Sequence, residues 1–261
     1  MTGPLLWTWA FAVGLALGSF LNVCVYRWPA GQSVLRPRSR CPGCGTMVAW
    51  HDNVPVLGWV ALRGRCRHCA MPLSVQYPLV ELAVAVIWMG AAIRLGPTVA
   101  AFTSASFLTL LLGIALTDAR EMIIPDQFSL GGTVLGLALA AWPGGMAFRS
   151  ALLGAAASYA ILWAIKLVAE RLLRKPALGV GDIHMMAMVG AFLGLPGALL
   201  TLLLGAALGL VIGVPVSALR GRLEAMGTYL PLGVFLAMGA LVAHTFGERI
   251  INWYIALVLG V

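Results

Sequence analysis

Two aspartates stand next to long apolar runs in a chain that carries few charges. Asp182 lies in the stretch GVGDIHMMAMVG, directly before an apolar run, and Asp118 follows another apolar run in LTDAREMIIPD. The chain has only 9 acidic residues among 261, and a carboxylate at the edge of a membrane segment is costly, which favours a functional role. Two carboxyl groups held close together can share a proton, as general acid and base catalysis on an amide requires. The pattern predicts that Asp118 and Asp182 form a catalytic pair.

Each aspartate also has a simpler structural explanation. Asp is a common helix N-cap, so Asp182 could only begin the helix that follows it. Asp118 could be solvated at the membrane interface beside Arg120. Asp126 competes with Asp118 for the catalytic role, but Pro125 before it favours an N-cap at the start of the next helix.

Two glycines frame the second aspartate. Gly179 and Gly181 stand three residues and one residue before Asp182. Glycine has no side chain and tolerates unusual backbone angles. We therefore expect these glycines to let an extended substrate backbone approach the Asp182 carboxylate.

Four cysteines form two CxxC pairs, CPGC and CRHC, in the one sizeable polar segment of the chain. Each pair places two sulfurs on a tight turn, and four thiolates satisfy the tetrahedral preference of Zn²⁺. Four thiolate ligands leave no open position for water, so the sequence predicts a structural zinc site and not a catalytic one. The predicted ligands are Cys41, Cys44, Cys66 and Cys69.

Disulfides and unliganded thiols are the alternatives for these cysteines. A reducing cytoplasm disfavours disulfides, and about fifty residues with few large apolar side chains cannot form much core without a metal. His51 and His68 lie nearby but are surplus to a four-cysteine site. Cys24, inside the first apolar run, is interpreted as a small buried residue.

The composition places all these residues in a membrane protein. Hydrophobic residues make up 61% of the chain, charged residues 10%, and the mean hydropathy is +0.95. Backbone groups must be paired within lipid, so the apolar runs are expected to be helices. The predicted fold class is an all-α polytopic membrane protein with about eight transmembrane helices and a small cytoplasmic zinc-binding loop domain. The predicted spans are residues 5–26, which we interpret as a retained helix and not a signal peptide, 78–95, 98–117, 128–142, 147–169, 183–195, 197–218 and 229–246.

Basic residues are distributed unevenly between the two sets of loops. Of 17 Lys and Arg residues, 13 fall in one set, including Arg220 and Arg222, whereas Arg94, Arg149 and Arg249 fall in the other. The positive-inside rule makes the basic set cytoplasmic, and with it the cysteine loop and both aspartates. The net charge of +8 is therefore a sign of topology, and without a soluble basic domain nucleic-acid binding is not expected.

Six motifs, in order along the chain, resemble those of the type IV prepilin peptidases, a family of membrane aspartic proteases that also methylate the new N-terminus of their product. The motifs are GSFLNVCVYRWP, the block from RSRCPGC to GRCRHC, YPLVEL, TDAREMIIPD, GVGD and PLGVFLAMGA, and the resemblance covers nearly the whole chain. It implies that Asp118 and Asp182 are the catalytic residues of a GxGD protease and that the four cysteines bind zinc. It also implies three domains: a first transmembrane helix at 1–26, a cytoplasmic zinc domain at 27–77 and a transmembrane protease core at 78–261.

The resemblance further implies substrates, cofactors and location. The substrates would be type IV prepilins or the pseudopilins of type II secretion, whose short basic leader is cut on the cytoplasmic side of the membrane after a glycine. S-adenosylmethionine would be the methyl donor, and the protein would be a multi-pass protein of the bacterial inner membrane, in contact with the lipid bilayer. The residues themselves fit such a substrate, since Glu81, Asp118, Asp126 and Asp182 are expected near one membrane level and would attract a basic leader.

One position departs from the pattern of the family it resembles. The family carries Lys two residues after the GxGD aspartate, and this chain carries His184. We hypothesise that His184, when protonated, supplies positive charge near Asp182. The alternative is that His184 faces away from Asp182 and is only a polar residue at the interface.

Two other classes of function were weighed against a peptidase. Intramembrane aspartates also relay protons, so a proton-coupled transporter is the main alternative. A membrane scaffold that binds a cytoplasmic partner through its zinc loop is another, and it would not need the aspartates. The GxGD context together with the four-cysteine loop favours the peptidase.

Overall fold

The computed structural model describes residues 3–213, 215–216 and 231–259, and within these ranges the chain is helical, with two isolated β-bridges and no longer strand. Arg220, Arg222 and the first residues of the predicted span 229–246 lie outside the described residues. A short 3₁₀ turn covers Trp50–Asn53, and a π-helical turn covers Gly209–Gly213. The helices are α1 (Gly3–Arg27), α2 (Leu57–Ala61), α3 (Gln76–Leu95), α4 (Val99–Glu121), α5 (Asp126–Ala140), α6 (Phe148–Leu173), α7 (Val180–Leu208) and α8 (Leu232–Leu259).

Six helical segments of the described chain are long and apolar enough to cross a membrane: α1, α3, α4, α6, α8 and the continuous segment Val180–Gly213. The all-α class is therefore confirmed, but the predicted number of about eight crossings is not. Two features account for the lower number. Helix α5 has 15 residues and is about 22 Å long, shorter than the roughly 30 Å hydrocarbon core. The sequence also predicts two spans, 183–195 and 197–218, along what is one helical segment, Val180–Gly213, with a kink inside it.

Helix α7 is broken at Gly194, beside Pro196. Gly194 has φ 67° and ψ 179°, a backbone conformation that is almost restricted to glycine. The half before the break packs on α6, where a Cβ on Gly190 would lie 2.2 Å from the carbonyl oxygen of Gly154. The half after the break packs on α8, where a Cβ on Gly205 would lie 2.8 Å from Leu236 Cδ2. The two halves thus contact different partner helices.

The break reverses the direction of the chain. Asp182 near the start of α7 interacts with Asp118, and Asp118 accepts a hydrogen bond from Val234 at the start of α8. Gly205 near the end of α7 packs against Leu236, two residues beyond Val234. A straight helix would separate residues 182 and 205 by about 34 Å. Both ends of α7 therefore lie at one end of its compact unit, and Gly194 forms the turn between two antiparallel halves.

The chain divides into two compact units, Met1–Thr109 and Leu110–Val261. In the first unit, α1 and α3 pack at very short distance. A Cβ added to Gly14 would lie 2.6 Å from the Cα of Ala85, and one added to Gly18 would lie 2.6 Å from the Cα of Glu81. Small residues bring helix backbones close together where the hydrophobic effect between helices is weak. The polar segment between these two helices carries the cysteines.

Gly194→Ala is expected to destabilise the second unit, because alanine is strained at φ 67° and ψ 179°. The expected loss is about 1–3 kcal/mol, measured by thermal or denaturant unfolding of the purified protein in detergent. Gly131→Ala is the matched control, since it lies in α5 and an added Cβ meets nothing within 4 Å. Equal unfolding midpoints for the two variants would show that Gly194 does not form a strained turn.

Candidate active site and metal centre

Asp118 lies near the end of α4 and is 5% exposed. Its Oδ2 accepts a hydrogen bond of 3.0 Å from the backbone N–H of Val234, and the N–H of Gly233 also donates to its carboxylate. Both donors belong to the first turn of α8, where helix N–H groups have no partner within the helix. Asp118 therefore supplies the acceptor for the N-terminus of another helix.

Asp182 is the third residue of α7 and is partly buried. It is not the N-cap, a position that Gly179 occupies, but its carboxylate accepts a hydrogen bond from the Gly179 N–H, as an acidic side chain does in a capping box. The Asp118 carboxylate is close enough to act electrostatically on Asp182. The two aspartates interact electrostatically, and each also receives a backbone donor from the start of a helix.

The glycines around the aspartates are required by the packing of the protein itself. A Cβ on Gly179 would lie 2.9 Å from Asp182 Oδ2, and one on Gly181 would lie 3.0 Å from the Cβ of Ile124. The expectation that Gly181 leaves room for a substrate is not supported, because Ile124 already occupies that side. A Cβ on Gly233 would lie 2.9 Å from Asp118 Oδ2. Gly233 thus allows the start of α8 to approach the carboxylate.

Two contributors to this site were not found by sequence reasoning. The first is the N-terminus of α8, whose Pro231 to Gly233 start was noted only as a motif of the family it resembles. The second is Lys166 of α6, which donates hydrogen bonds of 2.9 Å to the carbonyl oxygen of Leu178 and 2.7 Å to Glu170. Lys166 fixes the loop directly before the GVGD stretch, and nothing in the local sequence indicates that contact.

The contacts of His184 are with α5 and α6. Its Nδ1 lies 2.8 Å from Asp126 Oδ1, and its ring stacks on Tyr159 with centroids 6.1 Å apart. Asp126 is also not an N-cap: Pro125 holds that position, and Asp126 is the first residue of α5 with its carboxylate largely exposed. His184 and Asp126 thus form a pair that joins α7 to α5.

The four predicted zinc ligands lie together in the first unit. Their sulfur atoms are all within 4.8 Å of one another, with Cys41 and Cys69 3.7 Å apart and Cys44 and Cys66 4.0 Å apart. Zn–S bonds of about 2.3 Å in a tetrahedron place neighbouring sulfurs roughly 3.8 Å apart. The cluster therefore fits a zinc ion, and none of these cysteines forms a disulfide.

The two CxxC turns have the same backbone pattern. The N–H of the first cysteine of each pair bonds five residues ahead, Cys41 to Thr46 and Cys66 to Met71, each at 2.9 Å. Hydrogen bonds with Thr46 lower the pKa of the exposed Cys44 thiol to about 6, which favours the thiolate that a metal needs. Among the described residues, neither predicted bystander histidine joins the metal-binding group.

Asp52 connects the loop to the second CxxC turn. Its carboxylate accepts hydrogen bonds from Arg67, one of them 2.8 Å from Nε to Oδ2. This hydrogen-bonded guanidinium lowers the pKa of the Asp52 carboxyl. The pair thus ties the 3₁₀ turn that contains Asp52 to the second CxxC turn.

Metal analysis of the purified protein should find about one zinc per chain. Cys41→Ser should lose the zinc and lower the unfolding temperature, because structural zinc contributes on the order of 10 kcal/mol to small domains. Cys24→Ser is the control, since Cys24 lies in α1 outside the cluster, and it should keep the metal. A metal-free protein with unchanged stability would contradict the assignment.

Comparison with known protein families gives two adjoining matches. The bacterial peptidase A24 N-terminal domain matches residues 12–95, and the type IV leader peptidase family matches residues 105–214. The first match contains the four-cysteine segment, and the second contains both aspartates. No solved structure matches the chain.

Several relatives carry the name prepilin leader peptidase/N-methyltransferase. The one from Myxococcus xanthus is 42% identical over 221 residues, which cover 84% of this chain and 66% of the relative. One from Burkholderia pseudomallei is 35% identical over 91% of this chain and 84% of the relative, and one from Pseudomonas putida is 35% identical over 93% and 91%. With this identity over most of both chains, the chain belongs to the type IV leader peptidase family, a family of membrane peptidases.

Proposed function

We propose that this protein removes the short basic leader from type IV prepilins or from pseudopilins of type II secretion, with Asp118 and Asp182 as the catalytic pair. The observation that carries this proposal is the convergence of the two carboxylates, which come from α4 and α7 and interact electrostatically. The names of the relatives support the substrate class. Membership of a peptidase family favours this function over a transporter.

The chemistry follows from two carboxyl groups with one proton between them. One carboxylate takes a proton from water while the water oxygen bonds to the scissile carbonyl carbon, and the other carboxyl protonates the leaving nitrogen. Backbone donors from Val234 and Gly179 fix one carboxylate each. The groups that react are thereby oriented by helix ends, which suits a reaction whose rate depends on geometry.

We infer eight membrane crossings, with the two halves of α7 and the short α5 added to α1, α3, α4, α6 and α8. The reversal at Gly194 supports two crossings in α7. The positive-inside rule then places the zinc loop and the aspartates on the cytoplasmic face of the bacterial inner membrane. In this arrangement the domains are the first helix at 1–26, the zinc domain at 27–77 and the protease core at 78–261.

We also propose that the enzyme methylates the N-terminus that cleavage exposes, as the name of its relatives states for them. S-adenosylmethionine supplies a methyl group on a sulfonium centre that an uncharged amine can accept. The zinc ion has a structural role in this proposal, because four cysteine ligands leave no position for a substrate.

Asp118→Asn and Asp182→Asn are each expected to abolish cleavage, because an amide can accept the backbone hydrogen bonds but cannot transfer the proton. The assay incubates purified protein with a prepilin or a pseudopilin and measures the mass of the product's N-terminus, with and without S-adenosylmethionine. The double variant should be no worse than either single variant, as expected for groups that act as a unit. Asp126→Asn is the matched control and should keep substantial activity. An inactive Asp126→Asn with an active Asp118→Asn would reverse the assignment.

Gly233→Ala is expected to reduce cleavage at least tenfold while the protein still inserts. The new Cβ would lie 2.9 Å from Asp118 Oδ2 and 2.7 Å from Ile124 Cδ1, so α8 must move away from the carboxylate. Gly247→Ala lies in the same helix, where an added Cβ makes an ordinary 3.6 Å contact with Leu200. Equal kcat values for the two variants would show that the contact between α8 and Asp118 is not needed for catalysis.

A further inference from the structure

We propose that a cavity in the first unit, between α1, α3 and the cysteine loop, binds the nucleoside sulfonium that donates the methyl group. This inference rests on the methyltransferase half of the proposed function. It assigns that half to residues of Met1–Thr109, whereas both aspartates belong to Leu110–Val261. Cleavage and methyl transfer would then depend on different side chains of the same chain.

The cavity has the size of a small-molecule site. Its volume is about 720 Å³, and residues from α1, the loop and α3 line it. S-adenosylmethionine has about 27 non-hydrogen atoms, and ligands of this size occupy pockets of roughly 300–1,000 Å³. The other prominent cavity of the described chain is lined by only four residues at the end of α8, namely Phe246, Arg249, Ile250 and Trp253.

Glu81 places a carboxylate on the wall of this cavity. The residue is 7% exposed, and its Oε2 accepts a hydrogen bond of 2.7 Å from the N–H of Val56. In the described part of the chain no cation lies within ion-pair distance of it. A buried carboxylate without a counter-charge is costly, so its retention points to a cationic ligand. The sulfonium centre of the methyl donor carries that charge.

The backbone opposite Glu81 is held in an unfavourable conformation. Val56 has φ 61° and ψ −51°, and a β-branched residue rarely adopts a positive φ. Such strain persists where the surrounding structure imposes it, and it clusters at ligand sites. Here it directs the Val56 N–H at Glu81 Oε2, which leaves the carboxylate fixed at the wall of the cavity.

Asn22 provides an unpartnered acceptor in the same wall. It is 3% exposed, its Nδ2 donates to the carbonyl oxygen of Tyr77, and its Oδ1 has no hydrogen-bond partner. Buried polar atoms are nearly always paired, so the Oδ1 atom is available to a donor such as an adenine amino group or a ribose hydroxyl. The residues present therefore fit a nucleoside.

Aromatic and basic side chains in the cavity lining also suit a nucleoside sulfonium. Tyr26 and Tyr77 line the cavity and stack with ring centroids 5.6 Å apart, and Trp59 lines it as well. Aromatic faces attract both flat bases and cations. Arg27 and Arg40, also in the lining, are suitable partners for the carboxylate of the amino-acid part of the ligand.

Methyl transfer from the sulfonium to the N-terminal amine of the product needs no further reagent. The uncharged N-terminal nitrogen of the cleaved product forms a bond to the methyl carbon while the carbon–sulfur bond breaks. Its electron pair returns to sulfur, so the sulfonium becomes a neutral thioether. The methylated nitrogen then loses one proton to water.

Glu81→Gln tests this assignment through binding and not through activity. Glutamine keeps an oxygen that can accept the Val56 N–H but removes the negative charge. Equilibrium dialysis of the purified full chain in detergent should show affinity for S-adenosylmethionine falling at least tenfold, with a much smaller change for S-adenosylhomocysteine, which lacks the sulfonium charge. Glu248→Gln, at an exposed position of α8, should bind both ligands as the native chain does. Unchanged binding of S-adenosylmethionine by Glu81→Gln, or equal loss of both ligands, would overturn the proposal.

Photolabelling of the native chain is a second test that does not depend on a variant. Ultraviolet irradiation with labelled S-adenosylmethionine should modify peptides within residues 19–81, which contain the cavity lining. Labelling confined to residues 110–259 would overturn the assignment. If the native chain cleaves prepilin but binds no S-adenosylmethionine, this inference fails and the peptidase stands. If the native chain binds S-adenosylmethionine but does not cleave prepilin, the proposed peptidase function fails and this inference stands.

Discussion

The N–H groups at the start of α8 need an acceptor, because a helix leaves its first N–H groups without partners within the helix. Asp118 provides that acceptor from α4, with a 3.0 Å hydrogen bond from Val234. The positive end of the helix dipole in turn favours a negative group at this point. This one contact therefore gives the first N–H groups of α8 an acceptor, and it stabilises the buried carboxylate of Asp118. The contact also fixes the position of α8 and leaves no room for a side chain at Gly233.

The same arrangement recurs at Asp182, where the carboxylate accepts from the Gly179 N–H at the start of α7. At both aspartates the carboxylate can therefore accept a hydrogen bond from the start of a helix and also have the proposed catalytic role. Repulsion between two nearby carboxylates would separate them unless other contacts held them in place. The turn at Gly194 contributes here, because the second half of α7 returns to pack on α8, which is itself bound to Asp118. Lys166 adds a further restraint by holding the carbonyl oxygen of Leu178.

The sequence was sufficient to predict those features that depend on residue type and local spacing. The helical class and the four cysteines that lie together belong to this group, because hydropathy and ligand chemistry are visible in the chain. The partner of His184 was not predictable, since Asp126 is 58 residues away and the contact depends on how α5 and α7 pack. The contact of Gly181 with Ile124 was not predictable for the same reason, because it depends on the packed structure. The number of crossings depends on α5 and α7, whose lengths do not match one bilayer thickness.

In the proposed zinc-bound form, the polar segment of the first unit has a metal in place of a hydrophobic core. About fifty residues cannot bury enough apolar area to hold a defined shape, and a four-thiolate cluster ties the two CxxC turns together instead. The Asp52 and Arg67 pair and the Trp59 hydrogen bond to the carbonyl oxygen of Leu73 connect the rest of the loop to this cluster. A loop fixed in this way can enclose a cavity, which a collapsed apolar core would have filled. In the proposed function, the cavity beside the buried Glu81 carboxylate admits a cation, so a zinc ion that orders the loop would also make a ligand site possible.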